Sequence, residues 1–215
     1  MLCDRAHLDA LKPLAKGTSS TQVACFGLAK RTSGVIPLKG TIEKASTNAP
    51  VVTRVNPGKA EELAMLLFTS GTTGLPKVAR ITNRRQVTAA LWSAIASELT
   101  PRDTVYCCLP LHHATGMLVA AGGALVGGCR LALAPRFSAT QFWPDVRLYG
   151  ANVVFYVGEL CRYLVAAPDR ADDRKHPVKK LIGNGMQAEV WRRMLHRFGD
   201  MRVLEFYAST EGNIV

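Results

Sequence analysis

Several features that would assign this chain to a protein class are absent from its sequence. None of the six cysteines is separated from another by two residues, which is the spacing of zinc knuckles and redox motifs. The first apolar residues are interrupted by Asp4, Arg5 and Asp9, unlike a signal peptide. The uncharged stretch 104–129 contains one proline, two histidines and five glycines, which indicates a protein core rather than a membrane span. We therefore predict reduced, buried cysteines in an intracellular protein.

Acidic residues are also scarce, with 16 Asp and Glu against 27 Lys and Arg and a net charge of +11. A positive protein attracts anionic partners such as nucleotides, coenzyme A, acidic lipid or nucleic acid. The sequence has no zinc-finger spacing, RNP-type aromatic motif or helix-turn-helix pattern, and its basic residues are spread along the chain. We predict a generally basic surface and no nucleic-acid partner.

The apolar pattern divides the chain in two. Residues 1–60 have no sustained period and many Ser, Thr, Gly and Pro residues, which predicts a loop-rich lead-in. From 61 to 207, strand and helix patterns alternate, which predicts an α/β domain of layered parallel βαβ units. The predicted strands are 63–67, 105–109, 130–134, 153–157, 181–182 and 203–206, and the predicted helices are 84–99, 117–126, 160–166 and 188–198.

Three local patterns also predict which residues are buried or how a helix begins. The all-apolar run 63–67 predicts a buried strand. The segment 138–141 has the form of a capping box that opens a further helix. In the helix 84–99 an apolar residue recurs every fourth position, at Val87, Leu91, Ile95 and Leu99. With Ala90 and Ala94 beside them, these residues predict one apolar face that packs on the core.

The segment 68–77 concentrates groups that bind phosphate. Its glycines let the backbone turn N–H groups onto an anion, and its hydroxyls and lysine add side-chain donors. The spacing is not that of a P-loop, which needs Gly, four residues and then Gly-Lys-Ser/Thr. Composition alone leaves an ordinary loop rich in Ser, Thr and Gly open. The candidate phosphate ligands are Thr69, Ser70, Gly71, Thr72, Thr73, Gly74 and Lys77.

Two further segments follow predicted strands, at the sheet edge where ligands bind in open α/β folds. The loop 110–116 contains His112 and His113, but no other His or Cys has suitable spacing to complete a metal site. The glycines of Gly183-Asn184-Gly185 allow backbone to approach a flat ligand, although the tripeptide alone is also simply a turn.

The segment 206–213 directly follows the last predicted strand. It contains Tyr207, Thr210 and Glu211. A carboxylate at a sheet edge beside phosphates suits Mg²⁺, which takes oxygen ligands from both. Glu211 is therefore the candidate metal ligand.

Taken in order, these segments resemble a known family. The run TSGTTGLPK at 69–77 is similar to the nucleotide-binding signature of the AMP-forming acyl-adenylate enzymes, which include acyl-CoA synthetases and luciferases. The runs RFSATQFW at 136–143 and FYVGELCRYL at 155–164 resemble its fatty acid transport protein branch, the very-long-chain acyl-CoA synthetases. The resemblance covers about residues 60 to 215, and residues 1–40 add nothing to it. It implies that residues 61–215 form a partial adenylation domain.

The resemblance implies roles for the candidate residues. The segment 69–77 would hold the phosphates of ATP, with Lys77 among the catalytic groups. The 183–185 turn would lie against adenine, and His113 would line the acyl pocket.

The same resemblance assigns the residues after the last strand. Tyr207 would stack on adenine, Thr210 would contact phosphate and Glu211 would hold Mg²⁺, so Thr210 and Glu211 are catalytic candidates. Two residues depart from the family pattern, since Ala208 stands where glycine is usual and Asn83 where histidine is common in the branch.

The implied reaction activates a long- or very-long-chain fatty acid with ATP and Mg²⁺ and transfers the acyl group to coenzyme A. Peripheral association with the cytoplasmic face of a membrane, linked to fatty acid uptake, is also implied. The sequence ends at Val215, whereas family members continue with a ribose-binding aspartate, a hinge and a lid domain bearing a catalytic lysine. Two hypotheses stay open: a ligase core, or an inactive remnant that binds nucleotide or acyl groups.

Overall fold

The computed structural model describes residues 58–69, 77–210 and 212, together with 2–3, 9, 23–25, 35–37 and 44. Contacts divide the chain into two compact units, Met1–Asn56 and Pro57–Val215. In the first unit three short strands pair in parallel in the order β1-β2-β3. Strands this short display no alternation that a sequence pattern can reveal. Their bounds are Leu2–Cys3 for β1, Val23–Cys25 for β2 and Val35–Pro37 for β3.

The second unit begins with an antiparallel hairpin. Strand β4 (Leu63–Thr69) pairs with β5 (Lys77–Thr82), and Thr69 lies opposite Lys77. The sequence did not predict β5 or the antiparallel pairing. A parallel βαβ pattern therefore describes the domain only after this hairpin.

The prediction that β4 is buried was wrong for one of its faces. Leu67 is buried, whereas Leu66 and Phe68 are 47% and 61% exposed. Successive side chains of a strand point to opposite faces, so a strand that packs on one side only exposes every second residue. The inward face of the hairpin contains Leu67, Ala79 and Ile81.

Helix α1 (Asn83–Ala96) follows the hairpin, and the hydroxyl of Thr82 caps it by accepting a hydrogen bond from the Arg85 N–H at 3.3 Å. The predicted inward face was wrong for its large residues, because three of the four are largely exposed. Its two alanines, Ala90 and Ala94, are buried, and the other side chains buried on this helix are also small. The exposed residues are Val87 (53%), Leu91 (43%) and Ile95 (74%), and the buried ones are Ala89, Ala90, Ser93 and Ala94.

The close approach of a neighbouring helix explains this choice of face. A π-helical segment (Thr115–Ala121) continues as helix α2 (Gly122–Val126) and packs on α1. A Cβ atom on Gly122 would lie 2.9 Å from the Ala90 Cβ, and one on Gly123 would lie 2.4 Å from the Ser93 Oγ. Only small side chains fit between helices at this distance, so the larger apolar ones remain outside.

A five-stranded parallel sheet forms the centre of the second unit, which confirms the predicted α/β class. The strand order is β10-β9-β8-β6-β7. Every predicted strand after the hairpin is present within about two residues of its expected ends. The bounds are Thr104–Cys107 for β6, Arg130–Leu133 for β7, Val153–Val157 for β8, Lys180–Asn184 for β9 and Arg202–Glu205 for β10.

Three further helices connect the later strands. They are α3 (Phe142–Tyr149), α4 (Gly158–Ala166) and α5 (Ala188–Phe198). Helix α5 has the predicted bounds, and its residues Val190, Met194 and Phe198 are buried. It ends at Gly199, whose φ of 101° favours glycine.

The predicted capping box at 138–141 is present only in part, and the predicted helix start was wrong. The Ser138 hydroxyl accepts a hydrogen bond from the Gln141 N–H at 3.4 Å, but α3 begins only at Phe142. Gln141 occupies the capping position and makes no side-chain capping bond. The hydroxyl therefore closes a turn that precedes the helix.

The uncharged stretch 104–129 is divided among β6, a loop, the π-helical segment and α2, as predicted for a core segment. In the part of the chain that the structure describes, no helix is long and apolar enough to cross a membrane. Cys107, Cys108 and Cys161 are buried, as predicted, whereas Cys129 is partly exposed. Burial raises the pKa of the Cys108 and Cys161 thiols to about 12, which keeps them protonated.

Candidate functional site

The carboxyl ends of β9 and β10 bring two of the predicted segments together. In the parallel register Gly183 lies opposite Glu205, and the Phe206 N–H donates to the Gly183 carbonyl at 3.0 Å. The turn after β9 and the residues after β10, Tyr207 and Thr210, therefore leave the sheet at the same edge. Adjacent parallel strands place their following loops side by side, which is the arrangement that ligands use.

The two glycines of the turn at 183–185 are required for different structural reasons. Gly183 belongs to β9, and a Cβ atom there would lie 2.2 Å from the Tyr156 carbonyl oxygen. Gly185 has a φ of 76°, which favours glycine, and open space where its Cβ would be. A Cβ on Gly158, the first residue of α4, would lie 1.8 Å from the Gly185 carbonyl oxygen. Gly183 is thus required by packing against Tyr156, and Gly185 by backbone conformation.

Asn184, between these glycines, carries an unusual polar atom. Its Oδ1 is buried and has no hydrogen-bond partner among the described residues. A buried acceptor without a donor is costly and is uncommon in folded proteins. Tyr207 on the neighbouring segment is 77% exposed, so its ring is free to receive a flat ligand. The edge thus combines an exposed aromatic ring with a buried acceptor that has no partner among the described residues.

Glu205, which the sequence analysis missed, connects this edge to the sheet. Its Oε1 accepts from the Tyr156 hydroxyl at 2.6 Å and from the Met186 N–H at 2.8 Å, and its Oε2 accepts from the Gly185 N–H at 3.1 Å. Burial, followed by the bond to Glu205, raises the pKa of Tyr156 far above its ordinary value, so the hydroxyl stays a donor. The only sequence signal was an acidic residue at the end of a predicted strand.

A cavity of about 570 Å³ lies at the carboxyl end of β10, between α1, the π-helical segment and residues 206, 208–210 and 212. Its polar lining comes from the start of α1 and the segment after β10, and its apolar lining comes from the middle of α1 and the π-helical segment. The polar residues include Thr82, Arg85, Thr88, Ser209 and Thr210, and the apolar residues include Ala89, Trp92, Leu118, Val119 and Phe206. The volume is typical of a small-molecule site, and the lining suits an amphiphilic ligand.

Arg85 holds one wall of this cavity in place and was also missed from the sequence. Its guanidinium donates to the carbonyl oxygens of Ser209, at 3.2 Å, and Gly212. Both ends of the segment that contains Thr210 are thereby attached to α1. On the apolar side, the Trp92 and Phe206 rings meet edge to face with centroids 5.3 Å apart.

The predicted phosphate segment is only partly within the described structure. Thr69 ends β4 and Lys77 begins β5, so the two residues flank the connection of the hairpin. Lys77 is exposed. The remaining candidates lie outside the described residues: Ser70, Gly71, Thr72, Thr73, Gly74 and, from the other segment, Glu211.

His113 does not line the amphiphilic cavity. Its ring is exposed and lies 4.4 Å from that of His112. Ala114 and Thr115 line the cavity instead, while His112 lines a separate cavity of about 730 Å³ at the ends of β6, β7 and β8. The role of His113 in an acyl pocket stays a prediction.

Within the described ranges, no three His, Cys, Asp or Glu side chains are grouped as a protein-only metal site requires. The predicted Mg²⁺ ligand is Glu211, which those ranges do not include. The Mg²⁺ prediction therefore stays a prediction. A metal shared between one carboxylate and the phosphates of a ligand needs no such group.

Comparison with known proteins agrees with this arrangement. The family model for "AMP-binding enzyme" matches residues 6–215. This chain belongs to the AMP-binding enzyme family. The match begins far upstream of residue 60, so the prediction that residues 1–40 add nothing to the resemblance was wrong. The assignment of 61–215 as a separate partial domain stays a prediction.

Two relatives among the AMP-binding enzymes illustrate the similarity. The chain is 46% identical over 155 residues to rat long-chain fatty acid transport protein 2, which covers 70% of this chain and 24% of the relative. It is 38% identical over 210 residues to the medium/long-chain-fatty-acid–CoA ligase FadD6 of Mycobacterium tuberculosis, covering 96% and 35%. The chain therefore spans about a quarter to a third of the length of these relatives.

A solved AMP-binding enzyme shows the same fold. The ATP-bound structure of MatB from Rhodopseudomonas palustris matches with a TM-score of 0.76 and 25% identity, over 99% of this chain and 40% of that one.

Proposed function

We propose that this chain provides the nucleotide- and acyl-binding core of an AMP-forming fatty acid–CoA ligase. The observation that carries the proposal is the amphiphilic cavity at the carboxyl end of β10. A fatty acid has an anionic head and an apolar chain, which the two halves of this lining suit. The names of the relatives, a fatty acid transport protein and a fatty acid–CoA ligase, support the same substrate class.

The chemistry of the sheet edge suits the base of ATP. The exposed ring of Tyr207 offers a stacking surface, and the unpaired Oδ1 of Asn184 accepts from an N–H donor. Adenine supplies both a flat face and an exocyclic amino group. ATP bound to the related MatB structure supports this choice of nucleotide.

The phosphates and Mg²⁺ would lie between the two polar segments. Thr69, Lys77 and the intervening residues would hold the phosphates from one side, and Thr210 would contact them from the other. Glu211 would complete the coordination of Mg²⁺. The metal ion would neutralise the charge that develops on pyrophosphate. These assignments rest on the match to the family signature.

The proposed reaction has two steps. A carboxylate oxygen of the fatty acid forms a bond to the α-phosphorus of ATP, and the bond from that phosphorus to the bridging oxygen breaks, so pyrophosphate leaves. The sulfur of coenzyme A then bonds to the acyl carbon, AMP leaves and the thiol proton is released. No general base is needed in the first step, since a carboxylate is ionised at neutral pH. The residues act by positioning two anions and offsetting their charge.

Coenzyme A and a membrane are the further partners that we propose. The positive net charge suits both coenzyme A and the cytoplasmic surface of a membrane. A binding module without turnover is the second candidate, and it predicts ATP binding without chemistry.

Exchange of labelled pyrophosphate into ATP tests the proposal. We expect exchange by the full chain with Mg²⁺ that depends on a long-chain fatty acid such as oleate. Lys77→Ala and Glu211→Ala should each reduce it by about a hundredfold or more, because they remove charge stabilisation of the transition state.

Arg192→Ala is the matched control for a lost positive charge. Arg192 lies on α5 with 75% of its side chain exposed, in a surface ion pair with Glu189. Its loss should leave exchange unchanged. Exchange at background level in the wild type would refute catalysis by this chain, and ATP binding without exchange would identify a binding module.

A further inference from the structure

We propose that Glu205 is a positioning residue that fixes the turn after β9 in the conformation that receives the nucleotide base. The inference rests on the proposed function and adds to it a residue that does not itself contact the ligand. It is carried by three hydrogen bonds that converge on one carboxylate.

The two carboxylate oxygens of Glu205 accept hydrogen bonds from different backbone N–H groups of the turn. Oε2 accepts from the N–H of Gly185 at 3.1 Å, and Oε1 accepts from the N–H of Met186 at 2.8 Å. These N–H groups belong to consecutive residues, so the carboxylate spans the peptide unit that reverses the chain. Gly185 has a φ of 76°, which is readily open to glycine, so the residue itself does not fix the turn and the two bonds from Glu205 restrict it.

A third bond fixes the carboxylate itself. The hydroxyl of Tyr156, a residue of β8 that is 2% exposed, donates to Oε1 at 2.6 Å. Glu205 therefore connects β8, β9 and β10, three neighbouring strands of the sheet. The rotamer of a side chain held by three bonds of this kind is restricted, and so is the peptide that it binds.

The sheet does not need this arrangement for its own pairing. Backbone pairing of β9 and β10 already extends from Lys180 and Arg202 to Gly183 and Glu205. The carboxylate acts beyond the last pair, on residues that follow Asn184. Asn184 directly precedes these residues and has no side-chain partner at its Oδ1 among the described residues, so we infer that a shift of the held backbone moves its amide.

Glu205→Gln is the informative substitution. The amide keeps the size of the carboxylate but has only one accepting oxygen. One of the two backbone N–H groups would then face an NH₂ group, which is also a donor. The turn must shift to relieve this conflict.

Nucleotide binding by the full chain, measured by calorimetry with Mg-ATP and Mg-CTP, tests the proposal. The two ligands share their phosphates and differ in the base. We expect the wild type to prefer ATP, and we expect Glu205→Gln to weaken ATP binding about tenfold while CTP binding changes by less than about twofold. Glu189→Gln is the matched control, since Glu189 on α5 is 72% exposed and pairs with Arg192 at the surface.

Two results would overturn the role of Glu205. One is ATP binding by Glu205→Gln at wild-type affinity. The other is an equal loss of ATP and CTP binding together with a lower melting temperature, which a purely structural role produces. A wild type that binds neither nucleotide would instead refute the proposed function, and this inference with it.

Discussion

Arg85 is the residue whose contacts most directly link the helix after the hairpin to the segment after β10. Its guanidinium donates to the carbonyls of Ser209 and Gly212. These bonds attach the segment that carries Thr210 to the first turn of α1. The positive charge also lies in the lining of the cavity, next to the expected position of the phosphates. Arg85 can therefore act as a tether, as a charge, or as both.

Substitution of Arg85 separates these contributions. We expect Arg85→Ala to weaken Mg-ATP binding about tenfold, because it frees the segment that positions Thr210. Arg85→Lys retains the charge but lacks the planar fork that reaches two carbonyls. If the tether dominates, calorimetry of the lysine variant gives the same affinity as the alanine variant. Wild-type affinity in both variants would contradict a role for Arg85.

The residues that sequence analysis found and missed at the site differ in a physical way. Asn184, Tyr207 and Thr210 lie in local motifs, so their neighbours along the chain reveal them. Arg85 bonds to a residue 124 positions away, and Glu205 to one 49 positions away. Such pairs depend on the final packing of the sheet, and no pattern in a single sequence displays them.

At the scale of whole elements, α1 shows how packing overrides an apolar pattern. Its four-residue repeat indicated that large apolar residues and the adjacent Ala90 and Ala94 are buried together, but the buried residues are only alanines and a serine. Glycines on α2 bring the helix axes close, so volume rather than hydropathy decides which side chains are enclosed.

Lysine substitutions on the two faces of α1 test this assignment. Ile95 is 74% exposed, so Ile95→Lys should change the free energy of unfolding by less than about 0.5 kcal/mol. Ala90 is 4% exposed, so Ala90→Lys should cost more than about 3 kcal/mol, since a charge would enter a tightly packed contact. Urea unfolding measures both. A large loss in Ile95→Lys would show that Ile95 is packed, as the sequence predicted.

The elements that sequence analysis placed correctly carry strong local signals. Strand β8 is a run of β-branched and aromatic residues, and α5 combines a helical repeat with a terminal glycine. The predicted and observed bounds of both elements agree. Strand β5 carries no such signal, because its charged residues alternate with small and apolar ones on a half-exposed hairpin.

For the molecule as a whole, strand order explains why distant motifs share one site. The chain adds β8, β9 and β10 successively on the same side of β6, all in parallel. Loops that are 20 or more residues apart in sequence therefore meet at one edge, as the bond between Gly185 and Glu205 shows. The alternation of strands and helices predicted the parallel sheet. The antiparallel hairpin before the sheet was found only in the structure.

The net charge of +11 also acts at this scale. Each proposed ligand, ATP, pyrophosphate, fatty acid and coenzyme A, is an anion. A positive protein raises the local concentration of anions and accelerates their encounter, and salt screens this effect. The charge thus favours the same class of partners as the site, without specifying one of them.

The central claim is that a fatty acid carboxylate attacks the α-phosphorus of ATP. The most direct measurement uses oleate labelled with oxygen-18 in its carboxylate, with ATP, Mg²⁺ and hydroxylamine to trap the acyl group. Attack by the carboxylate places a labelled oxygen on the α-phosphorus, and hydroxylamine then cleaves the bond on the acyl side.

Mass spectrometry of the nucleotide product gives the answer. The account predicts AMP that carries one oxygen-18, formed together with the acyl hydroxamate and only when the fatty acid is present. Unlabelled AMP, ADP as the product, or no hydroxamate from the wild-type chain would contradict it.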